Sequence, residues 1–449
     1  MILALLLPTL ALAAPTLHCG TPAALAGIGE RPIAPPPAQG LTNGERDKSW
    51  YREPSPFHMD SANFTVGWED EADADTPTGA AAIVALEQAW TALVEEQGWP
   101  LPVSADQHLL HVILDPQLSS TGLTTEHATA EYPQGYPVIH LDPQWAEYPD
   151  FFAMVAHHEF MHAIQFAMRD VWTVEAWEAW YWEASAQWAA RLVDPSNPRY
   201  ADSSGSYADQ PELRFDSLDE QHAYGMVVFN AWLEADRGAG AMRAVWEEGA
   251  AAGPVPWDGI LESATGSSVS DLWAPFAGAT GNERLPESEL FAPVRVGGWI
   301  AEGTSGRVAY LGTDYLRAPA VGWVGVGATG PGEAVVLGSW GDHGGLVAVG
   351  EGETVGVVGL TDGGADYVLH WIDAPAGIGN PPDPPREPGG FPDDSDDDSG
   401  NPKDSPEEPG GFPDGVGCAF SRDRAPVGWL LLLVPGARRR RREPATPRA

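Results

Sequence analysis

An α+β fold with a separate all-β segment is predicted by three observations. Two β-branched, apolar runs, Leu109–Leu114 and Tyr136–Leu141, each close on Asp-Pro. After residue 150 come segments whose apolar residues recur at helical spacing. From about residue 293 the pattern changes to short Val-, Trp- and Tyr-containing runs punctuated by Gly, as strands of a small sandwich would be. Strands first and helices after is a segregated layout rather than an alternating one.

The elements follow in order. Residues 1–13 form an apolar run ending in Ala11-Leu12-Ala13, an A-x-A pattern that reads as a secretory signal peptide cut before Ala14, although no Lys or Arg precedes it. Residues 14–59 are rich in Pro and Gly and read as an extended N-terminal arm. A first strand is expected at Phe64–Trp68. Thr76-Pro77 opens a helix reaching about Gln97, with Ile83, Leu86, Trp90, Leu93 and Val94 on one face, stopped by Gly98-Trp99-Pro100. The two β-branched runs supply neighbouring strands, joined by a polar Gly/Thr-rich connection. Helices are expected at Asp150–Met168, Val174–Val193, Tyr224–Asp236, Ala239–Glu248 and Val269–Ala277, with a Ser/Asp-rich loop over Pro195–Ser217. These fill a domain over residues 60–287, and the β segment fills 290–374.

Residues 375–416 repeat Glu-Pro-Gly-Gly-Phe-Pro-Asp at 387–393 and 408–414 and cannot bury enough apolar surface to fold, so they read as a disordered acidic stalk. Residues 417–443 hold Gly417-Cys418, an apolar stretch around Val427–Val434 and the cluster Arg438 to Arg442. That stretch is shorter than the roughly 20 residues of an ordinary membrane span.

Charge bounds the partners. The net charge is −40 over 449 residues, which argues against nucleic acid, because a phosphate backbone requires a basic footprint. Hydrophobic residues make up 43% of the chain, enough for a core. Cys19 and Cys418 are the only two cysteines. Neither resembles a thiolate zinc site, which would need paired cysteines, and no disulfide framework is possible.

One stretch names a chemistry: His158-Glu159-Phe160-Met161-His162. On a helix, residues i and i+4 lie one above the other, so two imidazoles can grip one zinc ion. The glutamate beside the first can work on a zinc-activated water as general base. Glu183 is the candidate third ligand. The first helix runs roughly 9 Å beyond His162, and Glu183 lies roughly 13 Å into the next helix. Antiparallel packing therefore returns Glu183 to the level of the two histidines, whereas Glu175 and Glu178 stop short. Ala176, Ala179, Ala186 and Ala190 share its face and would let the helices approach closely.

His157 points about 100° away from His158 and suits the core or a surface hydrogen bond rather than ligation. Trp172, Trp177, Trp180, Trp182 and Trp188 read mostly as core. Tyr224 and His222 are candidate oxyanion donors, set against packing roles.

The motif followed by Trp180-Tyr181-Trp182-Glu183-Ala184-Ser185-Ala186 resembles the gluzincin metallopeptidases, in which the third ligand sits on a Glu-bearing helix, often within W-x-x-E-x-x-A. His158 to Phe166 also resembles the HEFxHAIQF-type core of myxobacterial metalloproteases, and the tail from Gly417 looks like a MYXO-CTERM sorting tail. The resemblance implies a zincin-like domain, one catalytic Zn(2+) held by His158, His162 and Glu183, and hydrolysis of protein or peptide substrates with Glu159 as base. It also implies processing near Cys418 and attachment at the cell surface or outer membrane. One position departs from it: where several gluzincins carry an acid one turn after the third ligand, this chain has Gln187. The alternative reading is a surface adhesion protein whose β domain does the binding and whose zincin-like part is an inactive scaffold.

Overall fold

The computed structural model describes Leu17, Cys19 and, with short gaps, residues 57–372. The segments read from sequence as signal peptide, stalk and tail, and most of that read as the arm, lie outside the described residues. Among the described residues no helix is long and apolar enough to cross a membrane.

The chain opens with a mixed five-stranded sheet. Strands β1 (Phe57–Asp60) and β2 (Phe64–Trp68) form an antiparallel hairpin, so the sheet begins inside the segment read as the arm. β2 runs parallel to β3 (Leu110–Leu114), and β3 parallel to β5 (Tyr136–Leu141). β4 (Gly122–His127) pairs antiparallel with β5, and the spatial order is β1-β2-β3-β5-β4. All five residues of β2 are buried, which explains a continuous apolar run without alternation. β4 was not anticipated: its sequence Gly-Leu-Thr-Thr-Glu-His reads as a polar connection. Edge position accounts for it, since an edge strand has a neighbour on one side only and tolerates polar residues.

Helix α1 (Pro77–Ala89) bridges β2 and β3 and continues as a π-helical turn over Trp90–Glu96. Gly98 in the left-handed region (φ 69°) ends it, as the sequence suggests. Helix α2 (Pro149–Met168) follows a short 3-10 turn capped by Asp142, whose carboxylate accepts from the Gln144 amide at 3.0 Å. Nearly every residue of α2 from Phe151 to Phe166 is buried, so this helix is wrapped on all sides rather than amphipathic.

Helix α3 (Ala179–Val193) packs on α2. Contacts run in opposite senses along the two, with Met154 near Gln187, His158 near Glu183 and Gln165 near Trp182, so the helices are antiparallel. Ala179, Ala186 and Ala190 are buried, as expected of the close-approach face. The start expected for this helix, Val174 to Glu178, lies outside the described residues, and so do Trp172 and Trp177. Trp180, Trp182 and Trp188 are buried core residues.

Helix α4 (Arg199–Asp209) occupies much of the stretch read as a Ser/Asp-rich loop. Its composition is poor for a helix. Tertiary anchors override it: Tyr200 donates to the Ala190 carbonyl, and Tyr200 and Tyr207 are buried. Beyond it lie α5 (His222–Gly225), α6 (Val227–Arg237), α7 (Ala241–Ala252), α8 (Trp257–Thr265) and α9 (Val269–Gly281). α8 was missed because it is short and bounded by Pro256 and a left-handed Gly266.

The remaining strands form two antiparallel sheets. One has the order β10 (Leu346–Val349), β8 (Gly322–Ala328), β12 (Ala365–Ile372), β6 (Ser305–Val308). The other has β7 (Thr313–Arg317), β11 (Thr354–Gly359) and β9 (Ala334–Leu337). Val308, Val324 and Leu369 from the first share a core with Leu316, Val336 and Val355 from the second. From sequence the runs Arg307–Leu311, Val321–Val326, Ala334–Leu337, Leu346–Val349, Val355–Val358 and Tyr367–Ile372 read as strands, and β7 was not expected. The layout is α+β, with helices and sheets segregated along the chain.

Candidate metal centre

Three of the expected side chains converge. His158 and His162 project from one face of α2, and Glu183 meets them from α3. His158 Nε2 lies 3.1 Å from His162 Nε2 and 3.2 Å from Glu183 Oε2, and His162 Nε2 lies 3.3 Å from Glu183 Oε1. A fourth donor was not expected. Cys19 Sγ lies 3.4 Å from His162 Nε2, and the ligand atoms of Cys19, His158, His162 and Glu183 all lie within 4.8 Å of one another. All four residues are buried.

Cys19, which reads from sequence as no part of a metal site, belongs to the cluster. Paired cysteines mark thiolate-rich sites, whereas here one cysteine stands beside two imidazoles and a carboxylate. It comes from 143 positions upstream of His162, so no local spacing could reveal it. The available signal was a solitary cysteine in the arm of a chain with one other.

The histidine tautomers suit the cluster to a cation. Gln187 Nε2 donates to Ser203 Oγ at 2.9 Å, which turns its carbonyl oxygen towards His158 Nδ1 at 3.1 Å. Gln165 Nε2 donates to the Trp182 carbonyl and Ser185 Oγ, which turns its oxygen towards His162 Nδ1 at 2.6 Å. An amide oxygen only accepts, so each Nδ1 carries the proton and each Nε2 presents a lone pair. Two lone pairs and a carboxylate then face one another in a buried interior, an arrangement that a bound cation would stabilise.

The acid and the imidazoles are also strongly coupled in charge. Burial alone would raise the Glu183 carboxyl, but the adjacent histidines hold it down at about 2. Burial alone would lower His162, but the charges and hydrogen bonds of Glu183, with Glu159 and Gln165, raise it. The spacing also fits a metal ion. Around a tetrahedral ion with N and O ligands at about 2.0–2.1 Å, donor atoms stand roughly 3.3–3.4 Å apart, close to the separations found here.

The same geometry resolves the departure at Gln187. An acid is not required to orient His158, because the amide oxygen of Gln187 does so and Ser203 of α4 holds the amide in place. Gln165, one turn after His162, does the equivalent for that ring and was not foreseen.

Glu159 is fully buried and held from the edge strand. Thr124 Oγ1 lies 2.8 Å from Glu159 Oε2 and donates to it. Gly122 makes room: a Cβ there would stand 2.6 Å from Glu159 Oε1 and 2.8 Å from Val155 Cγ1. The unexpected strand β4 thus seats the expected base.

Tyr224 reaches the site, its ring 5.9 Å from that of His158 and its hydroxyl accepting from the Cys19 amide at 3.0 Å. Burial, then the charge of Glu183, pushes its phenol well above the usual range, so it stays protonated. His222 is buried against the Tyr207 ring at 5.7 Å and is not part of the metal cluster. His157 is also outside the cluster. It is fully buried, and desolvation brings its imidazole down to about 4 against the opposing pull of Asp194 and the Ala85 carbonyl.

A separate cleft is lined by Arg214, Asp216, Tyr310 and Asp362 among others, and contains none of the cluster residues. The model of a family of unknown function, DUF6055, matches residues 33–272, which span the five-stranded sheet, the cluster-bearing helices and α5 to α8. No curated protein matches the chain.

Proposed function

We propose that this chain, which belongs to the DUF6055 family, is a zinc metallopeptidase of gluzincin type built on a zincin-like domain. The observation that carries the reading is the convergence of His158, His162 and Glu183 around one point, with Glu159 of the same helix turned to the edge strand beside it. Zinc is the metal that this mixed N, O and S donor set suits best.

When bound, zinc supplies Lewis acidity that lowers the pKa of a water and polarises a carbonyl. The residues of the chain do the rest. Gln187 and Gln165 fix the imidazoles so that their Nε2 lone pairs point inward. Glu159 takes a proton from the attacking water and returns it to the departing amine nitrogen. Thr124 holds that carboxylate in place, and the protonated Tyr224 hydroxyl is positioned to stabilise the developing oxyanion. β4 offers a sheet edge along which an extended peptide could pair, a recurring way of binding peptides by backbone hydrogen bonds. Export and surface display rest on the terminal signals at residues 1–13 and 417–443, read from sequence alone.

The test is hydrolysis of a mixed peptide library, with and without chelator, by the wild-type chain and by Cys19→Ala, which leaves the fourth position open. Chelator-sensitive cleavage is expected of Cys19→Ala. Adding Glu159→Gln to Cys19→Ala should abolish it while zinc stays bound; cleavage retained in that double variant would refute the role of Glu159.

A further inference from the structure

We infer that Cys19 is the fourth ligand of this metal centre, so that the N-terminal segment occupies the substrate position and keeps the site latent. The inference rests on the metal-centre reading above.

Three independent contacts seat the segment. Cys19 makes a parallel β-bridge with Gly122, on the edge strand beneath Glu159. The Cys19 amide donates to the Tyr224 hydroxyl, the group placed to act as oxyanion donor. The Leu17 carbonyl accepts from Gln221 Nε2 at 2.6 Å. Gln221 itself stands in the left-handed region at φ 70°, a costly conformation for a residue other than glycine, and it does so at the position that grips the segment. Leu17 and Cys19 are 3% and 7% exposed, so both are packed into the domain core rather than lying on it.

The donor geometry fits sulfur. Around a tetrahedral ion with a sulfur ligand at about 2.3 Å and nitrogen at about 2.0–2.1 Å, the S···N separation is roughly 3.5–3.6 Å. Cys19 Sγ stands 3.4 Å from His162 Nε2. Ligation releases the thiol proton to solvent. With three protein ligands one metal position is open for water; with four the site is closed. The segment also takes the sheet edge and the Tyr224 hydroxyl that an extended peptide would need. Cutting the chain between Cys19 and Phe57 turns an intramolecular ligand into a dissociable one and opens the site, because the effective concentration of the thiolate then vanishes.

The experiment loads the full chain and its Cys19→Ala variant with cobalt(II) and records their spectra with and without acetohydroxamate. The wild type should show a thiolate-to-cobalt charge-transfer band in the near ultraviolet and no response to hydroxamate. Cys19→Ala should bind the same amount of cobalt, lack the band, shift its visible spectrum on adding hydroxamate, and cleave peptides faster by on the order of tenfold or more. Cobalt-loaded wild type without the band, or wild type that takes hydroxamate as readily as the variant, would overturn the inference while leaving the metal centre intact. Wild type that binds no cobalt would overturn the metal centre and this inference with it.

Discussion

Replacing Gln187 by Leu removes the acceptor that holds His158 in its metal-binding tautomer, and it should weaken zinc binding without unfolding the chain. The bond is 3.1 Å long and the residue is fully buried, so no water replaces it. Loss of a partner to such a ligand typically costs 10- to 100-fold in metal affinity, which is about 1.4–2.7 kcal/mol. The same range follows from leaving one buried N–H without an acceptor, at about 1–3 kcal/mol. Leucine is close to glutamine in volume, so packing against Met154 and Ser203 changes little. The assay is competition for zinc between the purified protein and a chelator of known affinity. An unchanged zinc affinity in Gln187→Leu would show that the amide does not orient His158, and the tautomer reasoning that places two lone pairs in the cluster would fail.

Two further outcomes follow from the geometry. In the Cys19→Ala background, Gly122→Ala would put a methyl 2.6–2.8 Å from Glu159 and Val155, so hydrolysis should fall by on the order of tenfold or more while zinc content holds; cleavage as fast as in Cys19→Ala alone would show that the edge strand does not seat Glu159. His157 is buried neutral with its imidazole at about 4, below the ordinary 6.5, so the unfolded chain binds the extra proton between those values. Its contribution is fully present above pH 6.5 and disappears as pH falls towards 4, about 3 kcal/mol in all. His157→Gln should flatten that acid limb in denaturant titrations, and a limb of unchanged steepness would assign the loss to other groups.

Much of the site was legible because its logic is local. The i, i+4 spacing of His158 and His162 fixes their common face, and counting helical rise from an assumed antiparallel turn brings Glu183 level with them. The alanines that allow close approach are visible in the same count. What escaped depends on contacts between distant segments. β4 has no apolar alternation, because an edge strand gains its order from pairing with β5. α4 has a loop-like composition and is held by Tyr200, Tyr207 and Ser203. Cys19 enters the cluster from the far end of the chain. Gln187 looked like a defect when judged by charge, and only its hydrogen bonds show that an amide can orient an imidazole as an acid does. In the β segment, strands bounded by Gly were found and β7 was not, because Thr313-Asp314-Tyr315 carries no apolar run.

The most direct test is the zinc content of the full chain, purified without added metal and measured by elemental analysis beside His162→Ala and Glu183→Ala. The account predicts one zinc per folded chain in the wild type and little or none in either variant, with the far-ultraviolet spectrum of all three unchanged. A folded wild type without zinc that also fails to take it up on dialysis, or variants that keep their full complement, would contradict the claim that His158, His162 and Glu183 form a metal centre.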